Sequence, residues 1–241
     1  MFTFAKRCTK EILRDPINIM FGLGFPVVLL FLLSVIQSNI PASLFEIESL
    51  APGITVFGLS FITLFSATLI ARDRETALLQ RLYTTPLKAV DFILGYMLPI
   101  IPMAIGQSIV CFSVAIVLGL PITVNILYGI LILLPISIFY VSLGLLCGSV
   151  FNVKQVGGIC GALLTNLSAW LSGVWFDLSI IGSFFEKIAK LLPFYHAVEM
   201  EKALFMCNFK DVPTHLLVVT LYGVSITVIS VLCFLKMRRK Q

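Results

Sequence analysis

An uncharged stretch from residue 92 to residue 153 decides the fold: FILGYMLPIIPMAIGQSIVCFSVAIVLGLPITVNILYGILILLPISIFYVSLGLLCGSVFNV. It contains 62 residues, whereas one membrane-spanning helix needs about 20 to cross a hydrocarbon core of about 30 Å. The stretch therefore predicts two spanning helices joined by a turn at Leu118–Pro121. Its apolar residues run continuously rather than alternating, so membrane strands are not expected.

The rest of the chain has the same character. Hydrophobic residues make up 59% of the 241 residues and charged residues 12%, whereas a soluble domain contains roughly 45–50% apolar and about 25% charged residues. The sequence predicts an all-α integral membrane protein with a single transmembrane domain, residues 1–241, and six spanning helices. The predicted spans are 17–37, 51–71, 92–118, 124–150, 156–176 and 214–235. The first apolar stretch is too long for the core of a cleavable signal peptide, so we expect it to remain as a span.

Basic residues indicate how these helices are oriented. The chain has 17 Lys and Arg against 12 Asp and Glu, and 13 of the 17 fall in the N-terminal segment, the loops after the second and fourth spans, or the C-terminal tail. The side richer in Lys and Arg is usually cytoplasmic. We therefore expect a multi-pass protein of a bacterial plasma membrane with both termini in the cytoplasm. No basic patch is interleaved with aromatic residues, so nucleic acid is not an expected partner.

The six cysteines do not have the spacing of a disulfide framework. Only Cys207 falls in a predicted outside loop, and Cys8 lies in the basic N-terminal segment. The others lie in apolar stretches: Cys111, Cys147, Cys160 and Cys233. We interpret them as small buried side chains rather than disulfide partners or metal ligands.

The segment before the first span has the pattern of an amphipathic helix. Phe4, Cys8 and Ile12 recur at a spacing of four, with basic residues on the other faces. This pattern predicts a helix in the inner membrane interface, ended by Pro16. The alternative is a basic flank without stable structure.

The loop after the second span, residues 71–87, predicts a short amphipathic helix. Leu78, Leu79 and Leu82 form one apolar face at helical spacing, and Thr85-Pro86 ends it because the residue before proline disfavours the α region. Such a helix, joined rigidly to two spans, can dock in a groove of a cytoplasmic partner. The alternative is a solvated connector on the membrane surface.

The run ARDRETALLQRLYTTPLKAVDFILGYMLP, residues 71–99, resembles the corresponding loop of ABC type-2 permeases, the membrane subunits of ATP-binding-cassette exporters. It matches at Arg72 to Glu75, Arg81-Leu82, Thr85-Pro86 and Gly95-Tyr96, and departs at Ala77, where glycine is common. The resemblance extends to the whole topology, including the amphipathic N-terminal helix and the long outside segment before the last span.

The resemblance implies that this loop is a coupling helix that contacts a nucleotide-binding ATPase subunit. The implied docking residues are Arg72, Asp73, Arg74, Glu75, Leu79, Arg81, Leu82, Thr85 and Pro86. Charged residues at such an interface can hold its register through ion pairs.

The long outside segment, residues 177–211, predicts two short helices interrupted at Pro193. It resembles the helices with which the family closes its outer exit, which implies gate residues at Phe194, Tyr195, His196 and Glu199. An interfacial helix pair with anchoring aromatic residues explains the segment equally well. His196 and Glu199 are three residues apart, but one such pair does not complete a metal or catalytic site.

The second and fifth spans carry aromatic and uncharged polar residues. In the resembled family these spans face the substrate path, which implies that Phe57, Phe61, Asn166 and Trp170 line it. Ordinary helix packing is the competing explanation. Two glycine pairs, Gly144 with Gly148 and Gly157 with Gly161, permit close helix contact either within one subunit or between two.

The predicted spans contain no charged residue well inside the membrane, which disfavours a proton-coupled transporter. The chain also lacks the GxxxxGK[ST] motif of ATP-binding loops. We therefore expect no enzyme activity and no cofactor on this chain, with ATP and Mg on a separate ATPase subunit.

The predicted function is an export permease that works in the lipid bilayer as a dimer with a second permease subunit, identical or homologous. Its expected cargo is hydrophobic or amphipathic, such as a drug (multidrug efflux), antibiotic, peptide or lipid. The alternatives are a permease for glycans or lipid-linked sugars, and a channel or membrane receptor that needs no ATPase.

Overall fold

The computed structural model describes residues 2–40, 45–76, 89–175 and 178–238. All regular secondary structure in these ranges is helical, so the all-α prediction is confirmed for them. The α-helices are α1 Phe2–Leu13, α2 Pro16–Ile19, α3 Phe25–Asn39, α4 Ile47–Glu75, α5 Ala89–Val117, α6 Val124–Val150, α7 Val153–Val156, α8 Thr165–Leu171, α9 Ser183–Leu191, α10 Pro193–Phe205 and α11 Val212–Arg238. Met20–Gly24 and Gly157–Leu164 are π-helical, and Leu178–Ile181 is a 3₁₀ turn.

Within the described residues, five helices are long and apolar enough to cross a membrane. They are Met20–Asn39, Ile47–Glu75, Val90–Val117, Val124–Val150 and Val212–Lys236, and they correspond to five of the six predicted spans. The apolar stretch predicted at 156–176 is helical only as far as Leu171. Gly173 then has a φ of 73°, outside the helical region. The sixth span therefore stays a prediction.

Helix α4 lies at the centre of the fold. It packs against α6, α5, α10 and α3, and nearly all of its residues between Leu50 and Ala71 are buried. A Cβ atom at Gly144 of α6 would collide with Ser66 Oγ and Thr63 O, and one at Gly148 with the backbone of Ala67. The glycine pair Gly144 and Gly148 therefore brings α4 and α6 together within one chain.

Helix α1 and the last turns of α11 lie at the same end of the helix bundle. The ring of Phe92 on α5 is 5.8 Å from that of Phe4 on α1 and 5.4 Å from that of Phe234 on α11. Phe4 and Cys8 of the predicted amphipathic stripe are buried against this end. We call it the terminal end. Helix α4 ends there at Glu75. At the opposite end of α4, Ser49 lines a cavity together with residues of α9 and α10.

Candidate functional site at the end of the second spanning helix

The last turn of α4 places four consecutive charged residues at the terminal end of the bundle. Successive residues of a helix point about 100° apart, so Arg72, Asp73, Arg74 and Glu75 reach four different directions. Each of them contacts a different part of the chain. We call these four residues and their partners the α4 cluster.

Asp73 connects α4 with α1 and α5. Its carboxylate is 1% exposed and accepts two hydrogen bonds from Arg7, from Nη1 at 2.5 Å and Nη2 at 2.6 Å. The Tyr96 hydroxyl donates to Asp73 Oδ2 at 2.8 Å. A bidentate pair of this kind is among the stronger side-chain interactions because both partners are charged and aligned. The hydrogen bond to Asp73 raises the pKa of the Arg7 guanidinium.

Arg7 also contacts Glu11, one turn further along α1. The two side chains form an ion pair at 2.6 Å, and partial burial raises the pKa of the Glu11 carboxyl. Arg72 makes a parallel connection, since its Nη1 atom donates to Asp15 Oδ2 at 3.0 Å. Together these contacts join α1 and the turn after it to the end of α4.

Arg74 and Glu75 connect α4 with the ends of two other helices. Arg74 Nη1 donates to the carbonyl oxygens of Gly148 at 2.8 Å and Phe151 at 3.2 Å. Glu75 Oε1 accepts from the backbone N–H of Val153 at 3.0 Å, at the start of α7. A helix leaves its last carbonyls and first N–H groups without partners, and these charges also match the dipole of each helix end. Arg74 therefore caps α6, and Glu75 caps α7.

Arg72 to Glu75 thus contact their own chain, and the Asp73 side chain is almost fully covered. Their role in docking a partner stays a prediction. The other residues assigned to docking, Leu79, Arg81, Leu82, Thr85 and Pro86, lie outside the described residues. The described start of the loop, Arg72 to Glu75, is held by contacts with four other helices, α1, α5, α6 and α7, and with Asp15 in the turn after α1.

The four residues assigned to a substrate path do not share one surface. Phe57 and Phe61 are 5% and 8% exposed, and their rings contact each other, Phe25 and Trp175. Asn166 and Trp170 are exposed, with Trp170 61% exposed. Thr63 and Ser66 of α4 donate to the carbonyls of Tyr140 and Val141, so these polar residues join α4 to α6.

The four residues assigned to a gate all lie on α10, at or near a cavity of about 620 Å³. Phe194 is buried against Phe139 and Tyr140. Tyr195 and Glu199 line the cavity, and Glu199 Oε1 lies 3.7 Å from Lys202 Nζ. Among the described residues no cluster of three or more His, Cys, Asp or Glu could hold a metal.

His196 pairs with His215 of the last spanning helix. Their Nδ1 atoms are 2.7 Å apart, and His196 Nε2 lies 2.8 Å from Lys190 O. Because a carbonyl oxygen only accepts, Nε2 carries a proton, and one further proton lies between the two Nδ1 atoms. The pair therefore joins α10 to α9 and α11.

Two features of these sites were not predicted from the sequence. Arg7 and Tyr96 were not assigned as partners of Asp73. Arg7 lies 66 positions from Asp73 in the sequence, and contacts over such a distance leave no local sequence pattern. Glu201 was not singled out, although it is fully buried. A signal for it existed: Glu199 and Glu201 are two residues apart, which places them on opposite faces of a helix. One of the two had to point towards the apolar side of α10.

A family model described as ABC-2 type transporter matches residues 1–206 of the chain. The chain belongs to the ABC-2 type transporter family. It is therefore a membrane permease, and the suspected resemblance is confirmed. The family usually works with an ATPase subunit, which is consistent with the expected ATPase partner. No curated protein and no solved structure matches the chain.

Proposed function

We propose that this permease is the membrane subunit of an exporter, driven by a separate nucleotide-binding ATPase that engages the segment after α4. The observation that carries the proposal is the α4 cluster. It lies directly before residues 77–88, and it joins α4 to α1, α5, α6 and α7 through named hydrogen bonds and ion pairs.

The cluster explains how a force applied at residues 77–88 would reach the membrane. A loop held by one helix alone would bend when a partner pushes on it. Here the base of the loop is joined to four other helices, so those helices move with it as a unit. The orientation that we propose, with the terminal end in the cytoplasm, follows from the Lys and Arg count and places the cluster on the side where ATP is available.

Cargo of apolar or amphipathic character remains our proposal, which the uncharged spans support. The exit would lie at the opposite end, where α10 borders the cavity of about 620 Å³. This cavity has apolar side chains such as Trp175 and Met206 beside charged ones such as Lys202 and Asp211, a combination that suits an amphipathic molecule. We propose that two permease subunits and two ATPase subunits form the complete exporter, with ATP and Mg on the ATPase.

Affinity purification of the permease from its own membranes tests the proposal. We expect a nucleotide-binding subunit to co-purify, and efflux from reconstituted vesicles to need hydrolysable ATP. Recovery of the permease without any ATPase would contradict the exporter assignment. Flux that continues without ATP would favour a channel instead.

A further inference from the structure

Glu201 is a buried carboxyl without a hydrogen-bond partner in the described structure. Its side chain is 0% exposed, and neither Oε1 nor Oε2 has a hydrogen-bond partner among the described residues. It points from α10 towards Gly129 of α6, where an added Cβ atom would lie 3.1 Å from Glu201 Oε2. Beside it the rings of Phe112 and Phe205 stack at 5.3 Å. The missing side chain at Gly129 leaves the space that the carboxyl occupies.

An ionised carboxylate cannot stay in such a place without a compensating partner. Removing an unpaired charge from water costs so much that the group takes up a proton instead. Burial raises the pKa of Glu201 well above its ordinary value, and among the described residues no charged neighbour contributes to the shift. In this closed arrangement the group is therefore a neutral acid.

The titratable groups around α10 do not compensate Glu201. On α10 itself, Glu199 pairs with Lys202, and His196 pairs with His215. Tyr140 of α6 packs against Phe194, seven residues before Glu201. The remaining titratable groups at this end of the bundle include Tyr195 on α10 itself, Glu48 on α4, Cys111 on α5, Tyr128 on α6, Glu186, Lys187 and Lys190 on α9, Asp211 just before α11 and Tyr222 on α11.

Helix α10 separates this carboxyl from water by a single helix width. Tyr195, Glu199 and Lys202 of α10, and Met206 directly after it, line the cavity of about 620 Å³. Glu201 lies on the other side of the same helix, against α6. A rotation or outward shift of α10 would bring the carboxyl into contact with the water of the cavity.

We propose that Glu201 is a proton-binding site that controls α10: the helix stays packed against α6 while the carboxyl is protonated, and it releases the proton when it moves into water. The closed state binds one proton more than the open state. The ratio of closed to open therefore falls as the pH rises, by up to tenfold per pH unit for each carboxyl. The fall begins near the ordinary glutamate pKa of about 4.3 and ends at the raised pKa of the closed state.

This inference goes beyond the proposed export function and does not depend on the ATPase. It can be tested on the purified permease alone. If Glu201 proves not to bind a proton, the exporter proposal is unaffected. If affinity purification recovers no ATPase, the proton site at Glu201 is unaffected.

Hydrogen exchange of the α10 amides measures the opening directly. The wild-type permease, Glu201→Gln and the matched control Glu199→Gln are compared from about pH 5 to about pH 9, the range in which a raised carboxyl pKa affects stability. After correction for the intrinsic pH dependence of exchange, we expect protection of α10 to fall with pH in the wild type and in Glu199→Gln. Glu201→Gln should show no such fall. A pH-independent wild type, or an unchanged slope in Glu201→Gln, would overturn the proposal.

Infrared spectroscopy detects the protonated carboxyl itself and does not need a Glu201 variant to fold. Both proteins compared carry Glu11→Gln, because burial also raises the pKa of the Glu11 carboxyl. A protonated carboxyl has a C=O stretching band that a carboxylate lacks. We expect this band in the otherwise wild-type permease and in Glu199→Gln at neutral pH, and its loss as the pH rises in parallel with the loss of α10 protection. If neither protein shows the band at neutral pH, Glu201 is ionised and the proposal fails.

Discussion

Asp73 is the residue whose loss should matter most for the terminal end of the permease. Its carboxylate accepts from Arg7 and Tyr96, and replacement by asparagine would leave the Arg7 guanidinium without a charged partner on α4. Hydrogen bonds between charged groups contribute about 1.5–3 kcal/mol each. We expect Asp73→Asn to lower the free energy of unfolding by about 2 kcal/mol, measured as a lower thermal midpoint of the purified protein.

Tyr96→Phe is the matched control for this change. It removes one hydrogen bond to the same carboxylate and leaves the ion pair with Arg7 in place. We expect it to cost about 1 kcal/mol, less than Asp73→Asn. Equal effects of the two variants would mean that the charge of Asp73 contributes nothing to stability.

Cys8 offers a chemical reporter for the same contacts. It is fully buried on α1 next to Arg7, and burial with the nearby Asp73 raises the pKa of its thiol to about 12. Since only the thiolate reacts, we expect a maleimide to modify the exposed Cys207 readily and Cys8 very slowly. Arg7→Ala should accelerate modification of Cys8 by releasing α1. Equal rates at Cys8 in the two proteins would show that Arg7 does not hold α1 in place.

At the scale of the elements, the contact between α4 and α6 depends on glycine at two positions. A Cβ atom at Gly148 would meet the backbone of Ala67, whereas one at Gly157 would meet nothing within 4 Å. We expect Gly148→Ala to destabilise the permease by about 1–3 kcal/mol because backbone cannot move aside easily. Gly157→Ala, the same change in open space, should be neutral or slightly stabilising. Thermal unfolding of the two variants compares them directly, and a destabilising Gly157→Ala would contradict the assignment.

The helices could be predicted from the sequence because lipid imposes long apolar runs on them. The turn predicted at Leu118–Pro121 lies between α5 and α6, which end and begin at Val117 and Val124. The interruption predicted at Pro193 separates α9 from α10. The end of α8 at Leu171 could not be predicted, because the residues that follow it are still apolar. The turn after α8 is contacted by Lys202, whose Nζ atom donates to Gly173 O at 2.7 Å. Because Lys202 is distant in the sequence, this contact leaves no local pattern.

The candidate site was predictable only in part, for the same reason. The charged run Arg72 to Glu75 stands out beside an apolar span, but its partners on α1, α5, α6 and α7 come from tertiary packing. The helical stripe of Phe4 and Cys8 was visible, whereas its packing against α5 instead of lipid was not. The burial of Glu201 could not be predicted, because the sequence does not show which of Glu199 and Glu201 faces α6.

At the scale of the whole molecule, the α4 cluster predicts that its capping residues transmit force without controlling whether the ATPase works. Arg74→Ala and Glu75→Ala each remove contacts to α6 or α7 at the base of the loop, while α4 keeps its contacts with α1 and α5. We expect the ATPase that co-purifies with either variant to keep hydrolysing ATP. Transport per ATP should fall roughly tenfold, which corresponds to about 1.4 kcal/mol of lost coupling free energy.

Lys154→Ala is the control for this experiment, since Lys154 is an exposed basic residue of α7 beside the Val153 N–H that Glu75 contacts. It should leave transport per ATP unchanged. The comparison separates two roles for the charged run. If Arg74 and Glu75 act by holding α6 and α7, ATP hydrolysis and the co-purified amount of ATPase stay constant while transport falls. If they act by binding the ATPase, the variants lose the partner itself, and the contacts with α6 and α7 are not what couples hydrolysis to transport.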